Sequence, residues 1–416
     1  MPHTSAMLRR GASIAVVLGT LTVPLVAAPA LAPAPAAVAA PSPTPSPSGS
    51  SGVRAMTPAV ARQLDAVVQH VMREADVPGV TVGVWTPGQR DYVRSFGVAN
   101  KATGQKMSRD LYTRIGSETK TFTVTAVLQL VGQGRVGLDD PVGRYLDGVP
   151  GGDRITLRDL AGMRSGLFDY SKDAGFFKAL TSDPQRSFTP GQLLGYAFRH
   201  PAMFRPGEKF SYSNTNLILL GLLVEKVSGQ RLGDYLEQHV LKPAGLRHTL
   251  FPTGNEFPTP HAQGYTDQTA TGKVADTAGW NPSWGWAAGA MISDLDDLHT
   301  WAGTVATGVF PDGTAMVGPA VQKQRLTTPA TGIRGAGYGL GIFDVQGWIG
   351  HNGSLPGYES LTVHLPSTHT TLVVLLNTDI AYKGDIEPST LFGEAVTRII
   401  SPAHVFDLPA PASATR

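Results

Sequence analysis

The hydrophobic period changes twice along this chain, and the order of those changes limits its folds more than any other feature. A helix opens at Thr57-Pro58, an N-cap residue followed by proline at the first helical position. Leu64, Val67, Val68 and Val71 then repeat at helical spacing. Residues 80–85 and 92–98, rich in β-branched and aromatic side chains, flank a Pro87-Gly88 turn and read as a hairpin. At the far end, 348–351, 359–365 and 371–376 read as strands, followed by a helix over about 388–400 with Phe392, Val396 and Ile399 on one face. Between these ends, 121–131, 157–163, 190–198, 217–227 and 232–241 carry helical periodicity, separated by Gly- and Pro-rich loops. The expected fold is therefore α/β (α+β): an antiparallel sheet made from both chain ends, flanked by helices, with a mostly helical region of about 121–330 inserted. No internal repeat of fixed period occurs.

Charge matters only once it is located. The 416 residues hold 34 basic and 32 acidic side chains, but no acid precedes Asp65. Arg9 and Arg10 stand before an apolar stretch that runs into Ala- and Pro-rich sequence, the pattern of a secretory signal peptide. Cleavage is expected after Ala39, and Pro24 and Pro29 argue against a membrane anchor. The domain reading is a signal peptide at 1–39, a Pro/Ser-rich linker at 40–56, a folded domain at 57–403 and a tail at 404–416. The expected location is extracellular, on the cell-wall side. Removing the signal leaves equal numbers of basic and acidic groups, so nucleic acid is not an expected partner. A monomer is the default.

Zero cysteines exclude disulfides, thiolate metal sites and cysteine nucleophiles. The 11 histidines form no His-Glu-x-x-His, so no metal or other cofactor is expected. No Gly-x-Ser-x-Gly elbow marks an α/β-hydrolase.

Three short motifs carry chemistry. Ser117-Glu118-Thr119-Lys120 is the chain's only Ser-x-x-Lys, at the head of an apolar helical pattern. A serine hydroxyl needs a nearby base to become a nucleophile, and a desolvated lysine one turn away can supply it. Tyr212-Ser213-Asn214 is the only Tyr-x-Asn: a tyrosine near a lysine can be partly phenolate and shuttle a proton, and an asparagine can hold a substrate amide. His351-Asn352-Gly353-Ser354 lies in a glycine-rich stretch at the expected end of a strand, where close backbone approach is required. Taken singly, each fits a structural role: a capped helix with a solvated lysine, a polar N-cap loop, a tight turn.

Together and in this order the motifs resemble the penicillin-recognising serine hydrolases, the group of D-alanyl-D-alanine carboxypeptidases and class C β-lactamases. Ile155 to Leu160 leading to Ser165-Gly166-Leu167, then Pro206-Gly207-Glu208 and Ala288-Gly289-Ala290-Met291, agree with it. The histidine of the third motif is most similar to secreted actinobacterial DD-carboxypeptidases. The resemblance implies Ser117 as nucleophile, Lys120 as its base, and Tyr212 as proton donor to the leaving amine. It implies Asn214 as a ligand of the substrate amide and His351 as a catalytic residue on the side of the site opposite Tyr212. Asn352, Gly353 and Ser354 line the third motif, with the N–H groups of Ser117 and Ser354 as the oxyanion hole. Trp284 walls the cleft, with Trp286 as the alternative. The implied partners are a peptidoglycan stem peptide or small acyl substrate, and β-lactams as pseudo-substrates. β-Lactamase, esterase, D-amino-acid amidase and a non-catalytic penicillin-binding protein are the alternatives. The chain departs from the carboxypeptidase pattern at Asn352 and Ser354, where threonines are usual. It also has Phe343-Asp344-Val345 where an arginine for the substrate carboxylate is usual. An ester or amide lacking that carboxylate is therefore the alternative acyl donor.

Overall fold

The computed structural model describes residues 52–408; the expected signal peptide and most of the linker lie outside the described residues. Seven strands form one antiparallel sheet in the order β2-β1-β11-β10-β9-β8-β7. β1 (Gly79–Trp85) and β2 (Tyr92–Gly97) come from the start of the chain. β3 (Thr113–Arg114) pairs with β6 (Ile292–Ser293), and β4 (Tyr265–Thr266) with β5 (Ala275–Asp276), outside the main sheet. β7 (Ala336–Tyr338), β8 (Phe343–Val345), β9 (Trp348–Leu355), β10 (Tyr358–Leu365) and β11 (Thr370–Leu376) come from the end. The two ends meet where Val80 of β1 faces Leu376 of β11.

The helices are α1 (Pro58–Glu74), α2 (Thr119–Gly132), α3 (Leu157–Ala161), α4 (Ala174–Ser182) and α5 (Pro190–Phe198), then α6 (Asn214–Ser228), α7 (Leu232–Leu236), α8 (Leu295–Thr307), α9 (Pro319–Arg325) and α10 (Pro388–Ile400). Thr57 caps α1 by accepting from the N–H of Val60, as its position before Pro58 predicts. Past α7 the backbone widens into a π-helical turn over Glu237–Leu241. α1 and α10 cover one face of the sheet, while α8 and the helical middle cover the other. β1, β10 and β11 are buried along their whole lengths, which is why β1 and β11 carry no charged side chains and β11 carries the run 372–376. α2 and α6 are buried on nearly every face and pack against each other. An amphipathic stripe would leave them half wet; an all-round apolar helix belongs in a core.

Three boundaries differ from expectation. β9 runs on to Leu355, so the third motif lies inside a strand, held by pairing to β10 from Ile349 to Leu355. β7 and β8 add an edge hairpin that glycines hide in the sequence. The packed body also exceeds 57–403. Arg54 N–H bonds to Ile400 O, and Phe406 is buried with its N–H on Thr397 Oγ1.

Candidate active site

Ser117 lies in a 3₁₀ turn, Gly116–Glu118, that leads directly into α2. The turn is pressed against β9. Gly116 has φ +51°, and a Cβ there would sit 2.8 Å from the backbone N of Ser354. A Cβ at Gly353 would sit 2.0 Å from Ile115 O. Ser360 Oγ, from β10, donates to that same carbonyl at 3.0 Å. The sheet and the head of α2 thus fix where Ser117 points.

Lys120 is fully buried in the first turn of α2, three residues on from Ser117. Its Nζ lies 2.9 Å from Ser117 Oγ, 2.8 Å from Asn214 Oδ1 and 2.7 Å from Ala288 O. Burial pushes its pKa down to about 7, and the field of Asp169 works against that shift. The three partners are not equivalent. A carbonyl and an amide oxygen can only accept, whereas a hydroxyl can also donate. When Lys120 loses a proton, two N–H donors remain for Ala288 and Asn214. The freed lone pair then faces the one neighbour able to give it a proton, Ser117.

Tyr212 completes this cluster. Its hydroxyl is in hydrogen-bond contact with Ser117, and Lys120 Nζ sits 4.9 Å above its ring. Burial, then the neighbouring Tyr338, push its pKa well above the usual phenol value, and the bond with Ser117 opposes them. The resting group is the phenol, not the partial phenolate expected. The reason is that a buried phenolate would need more positive charge than one half-neutral lysine provides.

Other expected residues are near but engaged elsewhere. Asn214 gives Oδ1 to Lys120, while its Nδ2 lies 3.2 Å from Ser171 Oγ and 3.4 Å from each Asp169 oxygen. Both ends of the amide are occupied, so Asn214 orients Lys120 rather than presenting a free amide to a substrate. His351 is 2 % exposed. Its Nδ1 is 2.5 Å from Asn352 O, which can only accept, so Nδ1 carries the proton. Nε2, 3.2 Å from Tyr338 Oη, accepts from that hydroxyl. Burial and then the charge of Lys120 lower its pKa to about 3. This neutral imidazole has no free nitrogen with which to relay a proton, contrary to the catalytic role expected of it. Asn352 alternates with His351 along β9 and faces the other way. Its Nδ2 donates to Glu387 Oε2 at 2.6 Å, at the head of α10. Trp284 is half-buried and, with Trp280, Arg114, Gly289, Leu355 and Pro356, lines a small pocket beside Gly116. Trp286 instead packs its ring against Gly221 of α6.

The Beta-lactamase family model matches residues 64–390. The chain belongs to the beta-lactamase family. It is 26 % identical over 329 residues to Protein flp of Staphylococcus aureus, covering 77 % of this chain and 64 % of that one. It is 28 % identical over 331 residues to a D-aminopeptidase of Brucella anthropi, covering 77 % and 61 %. The chain thus spans less than two thirds of the curated relatives it matches. Its fold is similar to a D-stereospecific amidohydrolase from Streptomyces sp., with a TM-score of 0.69 and 32 % identity over 78 % of this chain and 95 % of that one. The resemblance to penicillin-recognising serine hydrolases and the expected fold class both hold.

Sequence reasoning missed three residues that bear on this site: Asp169, Ser171 and Tyr338. Asp169 and Ser171 follow Ser165-Gly166-Leu167 closely, and an Asp-x-Ser turn was the available signal. Tyr338 stands between Gly337 and Gly339, whose spacing hides a strand in the sequence.

Proposed function

We propose that this protein is an exported active-site-serine hydrolase that forms an acyl-enzyme on Ser117 and acts on D-amino-acyl amides, peptides or esters. The observation that carries the reading is the buried Lys120, whose only proton-donating neighbour among its three bonded contacts is Ser117 Oγ, at 2.9 Å. Lys120 takes the Ser117 proton as Oγ attacks the acyl carbon. The N–H groups of Ser117 and Ser354 receive the oxyanion. Tyr212, held as a phenol, delivers a proton to the leaving nitrogen or oxygen as its bond to the acyl carbon breaks. It is reprotonated from Lys120, so the enzyme is left with a neutral lysine. In the second half, water gives its proton to Lys120 as its oxygen attacks the acyl carbon, and Lys120 passes that proton to Ser117 Oγ as the ester bond breaks, which restores the serine and the neutral lysine. The positive end of α2 faces the developing negative charge, and His351 beside the site is neutral.

The substrate class draws on two relatives, an aminopeptidase and an amidohydrolase named for D-stereospecific substrates. A D-alanyl-D-alanine carboxypeptidase acting on peptidoglycan stems, with β-lactams as pseudo-substrates, is the second reading; the third motif's histidine favours it. Both share the acylation step and differ in the leaving group. Export rests on the Arg9-Arg10 leader and Ala37-Val38-Ala39. The test is to incubate the protein with D-alaninamide, a D-Ala-D-Ala peptide and a labelled penicillin, then digest it. A mass adduct on the Ser117 peptide, missing in Ser117→Ala, is the expected result. Turnover or an adduct that persists in Ser117→Ala contradicts the reading.

A further inference from the structure

β9 orders the parts of the cleft on either side of the serine. Tyr212 stands against His351, with ring centroids 6.1 Å apart. The serine turn presses through Gly116 on Gly353 and Ser354, further along the strand. Leu355 comes next, four residues past His351 and so about 13 Å from it at the rise of a strand. Leu355 and Pro356 belong to the wall of the small pocket beside Gly116, with Trp280, Trp284 and Gly289. Its empty space, mouth included, is about 270 Å³. Neither Tyr212 nor Lys120 lines it. On the reading above, Tyr212 gives its proton to the leaving group. The leaving group therefore departs on the His351 side, and the acyl half extends toward the pocket. This inference rests on that reading.

Arg114 is the only ionisable side chain lining this pocket. It sits in β3, three residues before Ser117, and is 3 % exposed. Its Nη2 donates to Ala278 O at 3.3 Å and to Trp280 O at 3.1 Å. The Phe257 ring covers one face of the guanidinium, 4.6 Å from its carbon. Nε and Nη1 are buried and have no partner. Among the described residues, Arg114 forms no ion pair. Glu256, whose field reaches it, is bonded to Thr253 instead. Buried charges are ordinarily paired, because desolvation is costly. Two carbonyls and a ring leave N–H donors over, and an oxyanion meets them best, since a charge-assisted bond is about twice as strong as a neutral one. The apolar walls of Trp280, Trp284 and Leu355 screen a charge placed there far less than water does.

We propose that this pocket is a carboxylate subsite for the acyl half of the substrate, and that Arg114 selects acyl donors with an acidic side chain over their neutral isosteres. The carboxylate accepts from Nε or Nη1, the donors that the fold leaves unused. The chain lacks the arginine that is usual for a carboxylate on the leaving group; its unpaired arginine lies on the acyl side instead. The substrate class narrows accordingly to amides, peptides or esters of acidic D-amino acids.

Two pairs of amides isolate the charge: the α-amides of D-aspartate and D-asparagine, and those of D-glutamate and D-glutamine. Within a pair, size and leaving group are the same. The wild type is expected to favour the acid in kcat/KM by about tenfold or more in at least one pair, chiefly through a lower KM. In Arg114→Met that preference disappears. Arg114→Lys keeps a charge without the planar fork and retains part of it. The wild-type ratios need no variant, so a misfolded Arg114→Met does not leave the matter open. Ratios at or below one in both pairs, or a preference for the acid that survives in folded Arg114→Met, overturn the proposal alone. If none of the four amides acylates Ser117, the reading of the site falls and this inference with it.

Discussion

A buried lysine that forms no ion pair keeps its proton only against the cost of desolvation, and Lys120 is in that position. Its pKa near 7 divides the molecule into a charged form below that pH and a base above it. The largest opposing influence is Asp169, whose removal as a charge lowers the pKa further. Asp169→Asn keeps an acceptor for Asn214 but loses the field. The acid limb of the pH–rate profile is expected to move down by about half a unit or more; a limb that stays or moves up contradicts the assignment. Lys120→Arg keeps a cation that does not deprotonate, and acylation is expected to fall by about 10²–10⁴-fold in a stopped-flow measurement. These electrostatics were not readable from the sequence. Ser117 and Lys120 share one turn of helix, but the partners that set their state are distant. Asn214 is 94 residues from Lys120, and Ala288 is 168. Local spacing gives the nucleophile and its base, and only tertiary packing decides which amide ends and imidazole nitrogens are left free.

Two elements determine the site's geometry: the turn ahead of α2 and the middle of β9. They touch through backbone, with glycine on both sides. A methyl group at Gly353 meets Ile115 O at 2.0 Å, so Gly353→Ala must push the turn off the strand. The expected cost is about 1–3 kcal/mol of stability in thermal melts, with loss of Ser117 acylation. Gly132→Ala, near the end of α2 with open space around it, is the control and should be neutral or stabilising by about 0.5–1 kcal/mol. Equal loss in both variants contradicts a special contact at 353. The strands that read clearly, β1, β10 and β11, are those buried on both faces. β7 and β8 are three residues each, and Gly337, Gly339 and Gly341 interrupt any alternation. The same property misplaced the third motif: glycines that admit close approach inside a strand look, in sequence, like a turn.

At the scale of the molecule, the sheet ties both ends of the described chain together and carries titrating groups beneath the serine. Glu118, next to Ser117, is buried under β10, and burial raises its pKa to about 8. In the unfolded chain it ionises near the usual carboxylate value. Between those two values the folded state holds the extra proton, so stability from this group falls as pH rises from about 4.5 to about 8. Glu118→Gln removes that slope. Relative to wild type it should gain on the order of 1–3 kcal/mol between pH 5 and pH 8 in denaturant unfolding; a constant difference contradicts the burial argument. The account as a whole stands on one claim, that Lys120 is the base that opens Ser117. The most direct measurement is the rate at which a labelled penicillin acylates Ser117, followed by mass spectrometry from pH 5 to 9. The predicted result is a rate that climbs about tenfold per pH unit below a bend near 7 and is level above it. A rate independent of pH across that range, or an adduct on any residue other than Ser117, contradicts it.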